Sequence, residues 1–251
     1  MLTIERHQLI LSLLKDRVTV KIQELVDETN SSESTIRRDL NDLEQAKKLK
    51  RIHGGATLLQ KKLDEPTIAE KTIKNSQEKK RIAERAASFV EDGDCIFLDA
   101  GTSTIEIIPF LKEKEVVVVT NGLTNISALL DLGIETHVIG GLVKSGTRAF
   151  VGRSAIQTLE TFRFDKAFIG VNGVTLDDGY TTPDPEEAFI KESAMKRARQ
   201  SYVLADHSKF GEVSFCKFRN VEDATLITSS LIDEEYSRNL RKITTLEVVS
   251  L

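Results

Sequence analysis

The stretch CIFLDAGTST, residues 95–104, sets four mostly apolar residues against a loop of one acid, one glycine and three hydroxyls. So short an apolar run, closed by turn residues, reads as a strand buried on both faces. Six more runs of this kind follow: Val116 to Val119, His137 to Ile139, Ala167 to Ile169, Tyr202 to Leu204, Ala224 to Ile227 and Leu246 to Val249, with amphipathic helical spacing between them. Nearly continuous apolar strands that alternate with helices require a mostly parallel, helix-covered sheet. The fold class is therefore α/β from about residue 76 to residue 251.

Polar residues gather directly after these strands. Asp99, Gly101, Thr102, Ser103 and Thr104 follow the first, Thr120, Asn121 and Gly122 the second, Gly140 and Gly141 the third, Asn172 and Gly173 the fourth, and Asp206 with Lys209 the fifth. Ligands of open α/β sheets bind outside the carboxyl ends of the strands, so the clusters should converge on one edge. The DAGTST loop offers close backbone approach, three hydroxyls, and the N–H groups of a helix expected from Ile105, a setting that favours a phosphate dianion. A capped strand-to-helix turn explains the loop equally well. No GxGxxG follows the strand and no GxxxxGK[ST] occurs in the chain, which disfavours NAD and ATP, and no other cofactor is indicated. Lys209 adds a cation, while Asp99, Asn121, Asn172 and Asp206 suit hydroxyls. A small phosphorylated polyol fits this inventory.

Upstream the rhythm differs. Leu9, Ile10, Leu13 and Leu14 keep helical spacing, Val18 to Val20 is extended, and Ile22, Leu25 and Val26 open a second helix that ends near Asn30. A third helix, capped at Ser32, turns Ile36, Leu40 and Leu43 inward, and Leu49 to His53 then alternates up to Gly54 and Gly55. Two helices joined by a tight turn with a ribbon after them make a winged helix-turn-helix, here residues 1–58, with 59–75 as linker. Ser32, Ser34 and Thr35 stand in the first turn of the third helix, with Arg37 and Arg38 behind them. Hydroxyls and N–H groups there reach phosphates, and an arginine matches the two major-groove acceptors of guanine. Lys47, Lys48, Lys50, Arg51 and His53 form a basic wing whose Gly54 tip can approach a backbone. Each feature alone reads as solvated surface or an ordinary turn; their order within sixty residues points to double-stranded DNA.

Charge supports the division. The 251-residue chain has net charge -4, yet residues 1–62 hold 12 basic and 9 acidic residues, and the remainder is net acidic. No apolar run approaches the ~20 residues that span a bilayer, and no leader segment is evident, so a cytoplasmic protein without membrane contact is expected. Cys95 and Cys216 make no disulfide scaffold. His7, His53, His137 and His207 are too scattered for a triad or, with the cysteines, a metal site.

From Arg6 through LVDETNSSESTIRRDLNDLE to LKRIHGGA, ending at Ala56, the chain resembles the N-terminal signature of DeoR-type bacterial transcriptional regulators. GDCIFLDAGTST, VVTNG, VIGG, FDKAFIGVNGV, GYTTPDPEEA and ADHSKFG resemble the sensor domain of the same family, which is similar in fold to ribose-5-phosphate isomerase. The resemblance implies a phosphate seat at Gly101 to Thr104, with Thr120, Asn121, Gly140, Asn172, Asp206 and Lys209 around the sugar and Lys71 and Lys79 at the entrance. TTPDPEEA and ADHSKFGEVSF most resemble fructose-operon repressors, which implies fructose 1-phosphate as effector. A repressor released from its operator by a phosphorylated sugar, acting as a dimer or tetramer, is the expectation. The alternative is an isomerase-type enzyme with an accessory DNA-binding module. It lacks an obvious base, since Asn172 and Gly173 stand where those isomerases carry acids; only Asp184, Glu186 and Glu187 lie near.

Overall fold

The computed structural model describes residues 1–17, 19–46, 48–52, 54–58 and 67–251. The chain divides into two compact units, Met1–Lys61 and Lys62–Leu251.

The first unit runs α1 (Thr3–Arg17), β1 (Thr19–Lys21), α2 (Ile22–Thr29), α3 (Glu33–Gln45), β2 (Leu49–Ile52) and β3 (Gly55–Leu58). Ile10 and Leu14 of α1, Leu25 of α2, and Ile36, Leu40 and Leu43 of α3 close one core with Val20 and Leu49 of the strands. The turn between α2 and α3 is made by Asn30, left-handed at φ 49°, a conformation asparagine tolerates well. The three strands pair antiparallel in the order β1-β3-β2. Here the two glycines of the wing divide their labour. Gly54 takes φ +80° with open space around it, whereas a Cβ on Gly55 would stand 2.3 Å from the Val20 carbonyl, so β3 can lie against β1 only because that position has no side chain.

In the second unit, α4 (Ile68–Ile73) occupies part of the stretch whose weak pattern reads as linker. Thr67 caps it reciprocally: its N–H donates to Glu70 Oε2 at 2.7 Å and its Oγ1 accepts from the Glu70 N–H at 3.4 Å. There follow α5 (Ser76–Ala87), β4 (Cys95–Leu98), β5 (Val117–Thr120), α6 (Leu123–Asp131), β6 (Glu135–Val138), the hairpin of β7 (Leu142–Val143) and β8 (Phe150–Val151), and α7 (Arg153–Leu159). The chain closes with β9 (Phe164–Gly170), β10 (Gly173–Thr175), β11 (Gly179–Thr182), α8 (Pro185–Arg197), β12 (Ala198–Leu204), β13 (Cys216–Arg219), β14 (Thr225–Ser229), α9 (Glu234–Leu240) and β15 (Leu246–Val249).

Seven strands, one for each apolar run, form a sheet in the order β15-β14-β12-β9-β4-β5-β6, with every neighbouring pair parallel. Alternate residues feed opposite layers. Ile96, Leu98, Val118, Phe168, Leu204 and Ile227 pack with Ile82 and Ala86 of α5, Leu129 of α6 and Ile107, Ile108 and Leu111 between them. Phe97, Val119, Ile169, Val203 and Leu226 pack with Leu159 of α7, Ile190 and Ala194 of α8 and Leu240 of α9. From β4 the chain winds out to β5 and β6, then returns to the other side of β4 and winds out through β9, β12, β14 and β15. The winding reverses between β4 and β9, and the carboxyl ends of those two strands are where such a sheet opens a crevice.

Two features depart from the sequence reading. The segment after the DAGTST loop is a seven-residue 3-10 helix, Ile105–Leu111, carrying Pro109, so it brings a much weaker dipole to the loop than a full α-helix would. A second sheet, β10-β11-β13, is antiparallel, with a shift of register at Tyr180/Thr181. It absorbs the Gly-Tyr-Thr-Thr segment, and only the residues after it make the turn into α8, with Asp184 as N-cap and Pro185 in the first turn.

Candidate functional site

The recognition-type helix α3 opens on three interlocked hydroxyls. Ser32 is its N-cap, accepting from the Thr35 N–H at 3.3 Å, and its Oγ lies 2.9 Å from that of Ser34 and 2.8 Å from Thr35 Oγ1. Ser32 and Ser34 are exposed, as are Arg37 and Arg38, one turn on. Arg37 pairs with Glu33 at 2.6 Å, an exposed i,i+4 contact easily exchanged for another anion. On the wing, Lys50 is half-buried, and the Arg51 guanidinium turns back to donate to Asn41 Oδ1 of α3 while its backbone N–H donates to Glu44 Oε1 at 2.7 Å. Gly54 is exposed at the turn; His53 and Lys47 lie outside the described residues.

Asp39 supports this face from the inward side of α3, although the sequence reading passes over it. It is buried, accepts two hydrogen bonds from Arg6 at 2.5 and 3.0 Å, and lies 3.1 Å from His7 Nε2. Burial alone would push its carboxyl up, but Arg6 and His7 hold it below the usual carboxylate range. The bidentate pair ties α3 to α1 and so fixes the angle at which the hydroxyls and arginines are presented.

At the carboxyl edge of the large sheet the candidate effector residues fall into two groups. The first surrounds the winding reversal. Asn121 Oδ1 accepts from the Ala100 N–H at 2.8 Å, and Thr120 Oγ1 donates to the Leu98 carbonyl at 2.6 Å, so the ends of β4 and β5 are bound together. Thr104 Oγ1 donates to the Asp99 and Gly101 carbonyls, which commits it to the shape of the loop. The hydroxyls of Thr102 and Ser103 carry no hydrogen bond among the described residues, and Thr102 is half-buried. Asp99 is not open for a sugar hydroxyl. It is buried, accepts from the Gly170 N–H at 2.9 Å, and is ion-paired with the equally buried Lys191 of α8, which also donates to the Gly170 carbonyl at 3.1 Å. Burial pushes the Asp99 carboxyl up and Lys191 opposes it. The pair bridges β4 and β9 at the reversal. Asn125, fully buried, adds a second brace through donation to Asp99 O and Thr120 Oγ1. Asn172 Oδ1 accepts from Thr182 Oγ1 at 3.1 Å, and Gly140 turns the chain at φ +65° past the end of β6.

The second group lies at the end of β12. Asp206 is buried, accepts from Asn75 Nδ2 at 2.9 Å and from the Ser208 N–H at 3.0 Å, and has Lys209 Nζ at 3.7 Å. Against its burial, Lys209 and these donors hold its carboxyl low. Lys79 is also buried and donates to the Lys71 carbonyl. Burial, with Lys209, Lys71 and Lys74 close by and Asp206 opposing, pushes its ammonium down to about 8. Lys71, Lys74, Lys79 and Lys209 gather here around two carboxylates, Asp206 and the neighbouring Glu78, a net positive cluster suited to a polyanion. The end of β9 separates the two groups by one strand. Beneath them Glu78, also unforeseen, accepts from His207 N and Ser229 Oγ and so holds the loop after β12.

Of the acids near β11, Asp184 and Glu187 are engaged and Glu186 is exposed. Lys144 of the hairpin loop lies 2.8 Å from both Asp184 and Glu187, and Thr147 Oγ1 donates to Glu187 at 2.6 Å. Two clusters of ligand-type side chains occur among the described residues, His7/Asp39/Asp42 and Glu78/Asp206/His207. In both, carboxylate oxygens are already taken by Arg6, Asn75, Ser208 or Ser229.

Residues 6–62 match the family model described as the DeoR-like helix-turn-helix domain, and residues 74–230 match that of the DeoR C terminal sensor domain. The chain belongs to the DeoR family. Among relatives of this DeoR-family chain is FruR of Bacillus subtilis (strain 168), an uncharacterized HTH-type transcriptional regulator, 50% identical over 250 residues that cover 99% of both chains. The lactose phosphotransferase system repressor of Streptococcus mutans serotype c is 34% identical over 246 residues, covering 96% of this chain and 97% of that one. Ribose 5-phosphate isomerase A from Methanocaldococcus jannaschii is similar in structure with a TM-score of 0.41 and 19% identity, covering 54% of this chain and 55% of that one. As a DeoR-family protein the chain is a DNA-binding transcriptional regulator and not an enzyme. Among the described residues no helix is long and apolar enough to cross a membrane.

Proposed function

We propose that the chain represses a sugar-utilisation operon and is released from its operator by a phosphorylated sugar, with fructose 1-phosphate the leading candidate. The observation that carries the reading is that one parallel sheet carries, along its carboxyl edge, a loop with free hydroxyls after β4 and a cluster of four lysines one strand away, after β12. The names of the FruR and lactose-system relatives support the sugar class. In this reading Gly101, Thr102 and Ser103 seat the phosphate, Lys71, Lys79 and Lys209 supply its countercharge, and Asn121, Gly140, Asn172 and Asp206 shape the sugar pocket. Asp99, Thr104 and Thr120 act through the loop that they hold.

Residues 1–58 grip the major groove through Ser32, Ser34, Thr35, Arg37 and Arg38, and the neighbouring backbone through Lys50, Arg51, His53 and Gly54, with 59–75 linking them to the sensor of 76–251. One winged helix holds too few phosphates for tight binding, so the working form is a dimer or tetramer on paired half-sites in the cytoplasm. The sugar acts by favouring an arrangement that fits the operator poorly.

The test is a melting-temperature screen of the full chain against fructose 1-phosphate, other sugar phosphates, fructose and inorganic phosphate. A rise confined to one or a few sugar phosphates, lost in Lys209→Met, is expected. No rise with any sugar phosphate would remove the sensor assignment.

A further inference from the structure

The hairpin formed by β7 and β8 touches the candidate effector edge on one side and α4 on the other. Its second strand is laid on the loop after β5: Phe150 N–H donates to the Asn121 carbonyl at 2.7 Å, Leu123 N–H donates to the Arg148 carbonyl at 2.9 Å, and Gly122 bridges Ala149. Its tip holds α4, because the Ile68 N–H donates to the Gly146 carbonyl at 3.2 Å. Its loop is also clamped to α8 through Lys144 and Thr147 on Glu187, and α8 carries the Lys191 that pairs with Asp99 in the phosphate-type loop. The other half of α4 is held too, since the Lys71 carbonyl accepts from Lys79 of the lysine cluster. In the chain, α4 is the first described element after the wing strand β3.

We propose that this hairpin, residues 142–151, is the coupling device of the sensor: it passes occupancy of the carboxyl edge to α4, and α4 passes it to the segment that leads to the DNA-reading unit. The inference rests on the sensor reading above. Both halves of α4 are tied to groups that a bound phosphate would rearrange, Gly146 through the Asn121 loop and Lys71 through Lys79. A helix of six residues with no buried side chain is cheap to shift.

Position 68 permits a clean test. It is the first residue of α4, where proline is well tolerated, and the preceding Thr67 is already extended at φ -61°, ψ 159°. Ile68→Pro therefore deletes the N–H that meets Gly146 and leaves the helix in place, whereas Ile68→Ala trims the side chain and keeps the bond. In the full chain, promoter-DNA affinity is measured with and without saturating fructose 1-phosphate, alongside the melting shift that the sugar causes. The melting shift should be the same in wild type and both variants. The sugar-dependent change in DNA affinity should fall about five-fold in Ile68→Pro, the value of one ordinary hydrogen bond, and stay unchanged in Ile68→Ala. Undiminished release in Ile68→Pro, with sugar still bound, would overturn the coupling role alone. Absence of a melting shift in the wild type with every sugar phosphate would overturn the sensor reading and the coupling with it.

Discussion

Asp39 and Lys79 are both charged side chains held inside the protein, and they differ in what satisfies them. Asp39 is matched by a guanidinium; truncating it leaves the buried Arg6 with no opposite charge and only long hydrogen bonds to the Met1 carbonyl and Thr3 Oγ1. Asp39→Ala should therefore destabilise the N-terminal unit by about 3–5 kcal/mol, read by urea unfolding of the full chain. Its folded-state pKa lies below its unfolded one. That stabilisation is accordingly complete above the ordinary carboxylate range and is lost as pH falls through the lowered value. Lys79 is crowded by other lysines and half discharged at about pH 8. A phosphate dianion placed beside it would restore its charge, so sugar binding at about pH 9 should take up a proton and at about pH 6 should take up none. Calorimetry in buffers of different ionisation enthalpy reads this directly, and Lys79→Met should abolish the uptake. In the ligand-free protein the sign is reversed from that of a salt-bridged lysine. The unfolded chain binds the extra proton between about 8 and 10.5, so this group makes stability rise with pH across that window.

At the scale of elements, the wing depends on a glycine for a reason that its turn does not reveal. Gly54→Ala meets open space and costs only the strain of a positive φ, about 1 kcal/mol, whereas Gly55→Ala meets the Val20 carbonyl and must part β1 from β3. Gly55→Ala should lower the melting temperature of the N-terminal unit well beyond Gly54→Ala and weaken DNA binding with it. The inner strands of the large sheet were legible because burial on both faces demands continuous apolar residues, the exposed edge strand β6 showed only as a short run reaching past its end to Ile139, and α2, α3 and their turn were legible because cap and stripe coincide. The β10-β11-β13 sheet was not legible: Gly173–Thr175 and Gly179–Thr182 are too rich in glycine and threonine to alternate in hydropathy. Helix α4 hid in a charged stretch because its stability comes from the Thr67 and Glu70 capping pair and not from a buried face. Of the candidate site, the loop residues were visible as punctuation after strands, while Asp39 and Lys191 were not. Their signal was present, since each charge falls on the inward stripe of its helix, beside Leu40 and Ile190, where only a buried partner permits it.

For the whole molecule, net basic residues 1–62 joined to an acidic remainder mean that DNA sees one attractive module and one repulsive one. A change in how two copies present their modules would therefore alter affinity steeply, which is what a sensor requires. The claim at the centre is that a phosphorylated sugar at the edge formed by β4, β5, β9 and β12 changes the grip of the helices on DNA. Linkage demands that the effect be mutual. The direct measurement is the promoter-DNA affinity of the full chain with and without saturating fructose 1-phosphate, paired with the affinity for the sugar with and without DNA. The account predicts that each ligand weakens the other by the same factor, about 5- to 150-fold if the coupling is typical. Bound sugar that leaves DNA affinity unchanged would contradict it.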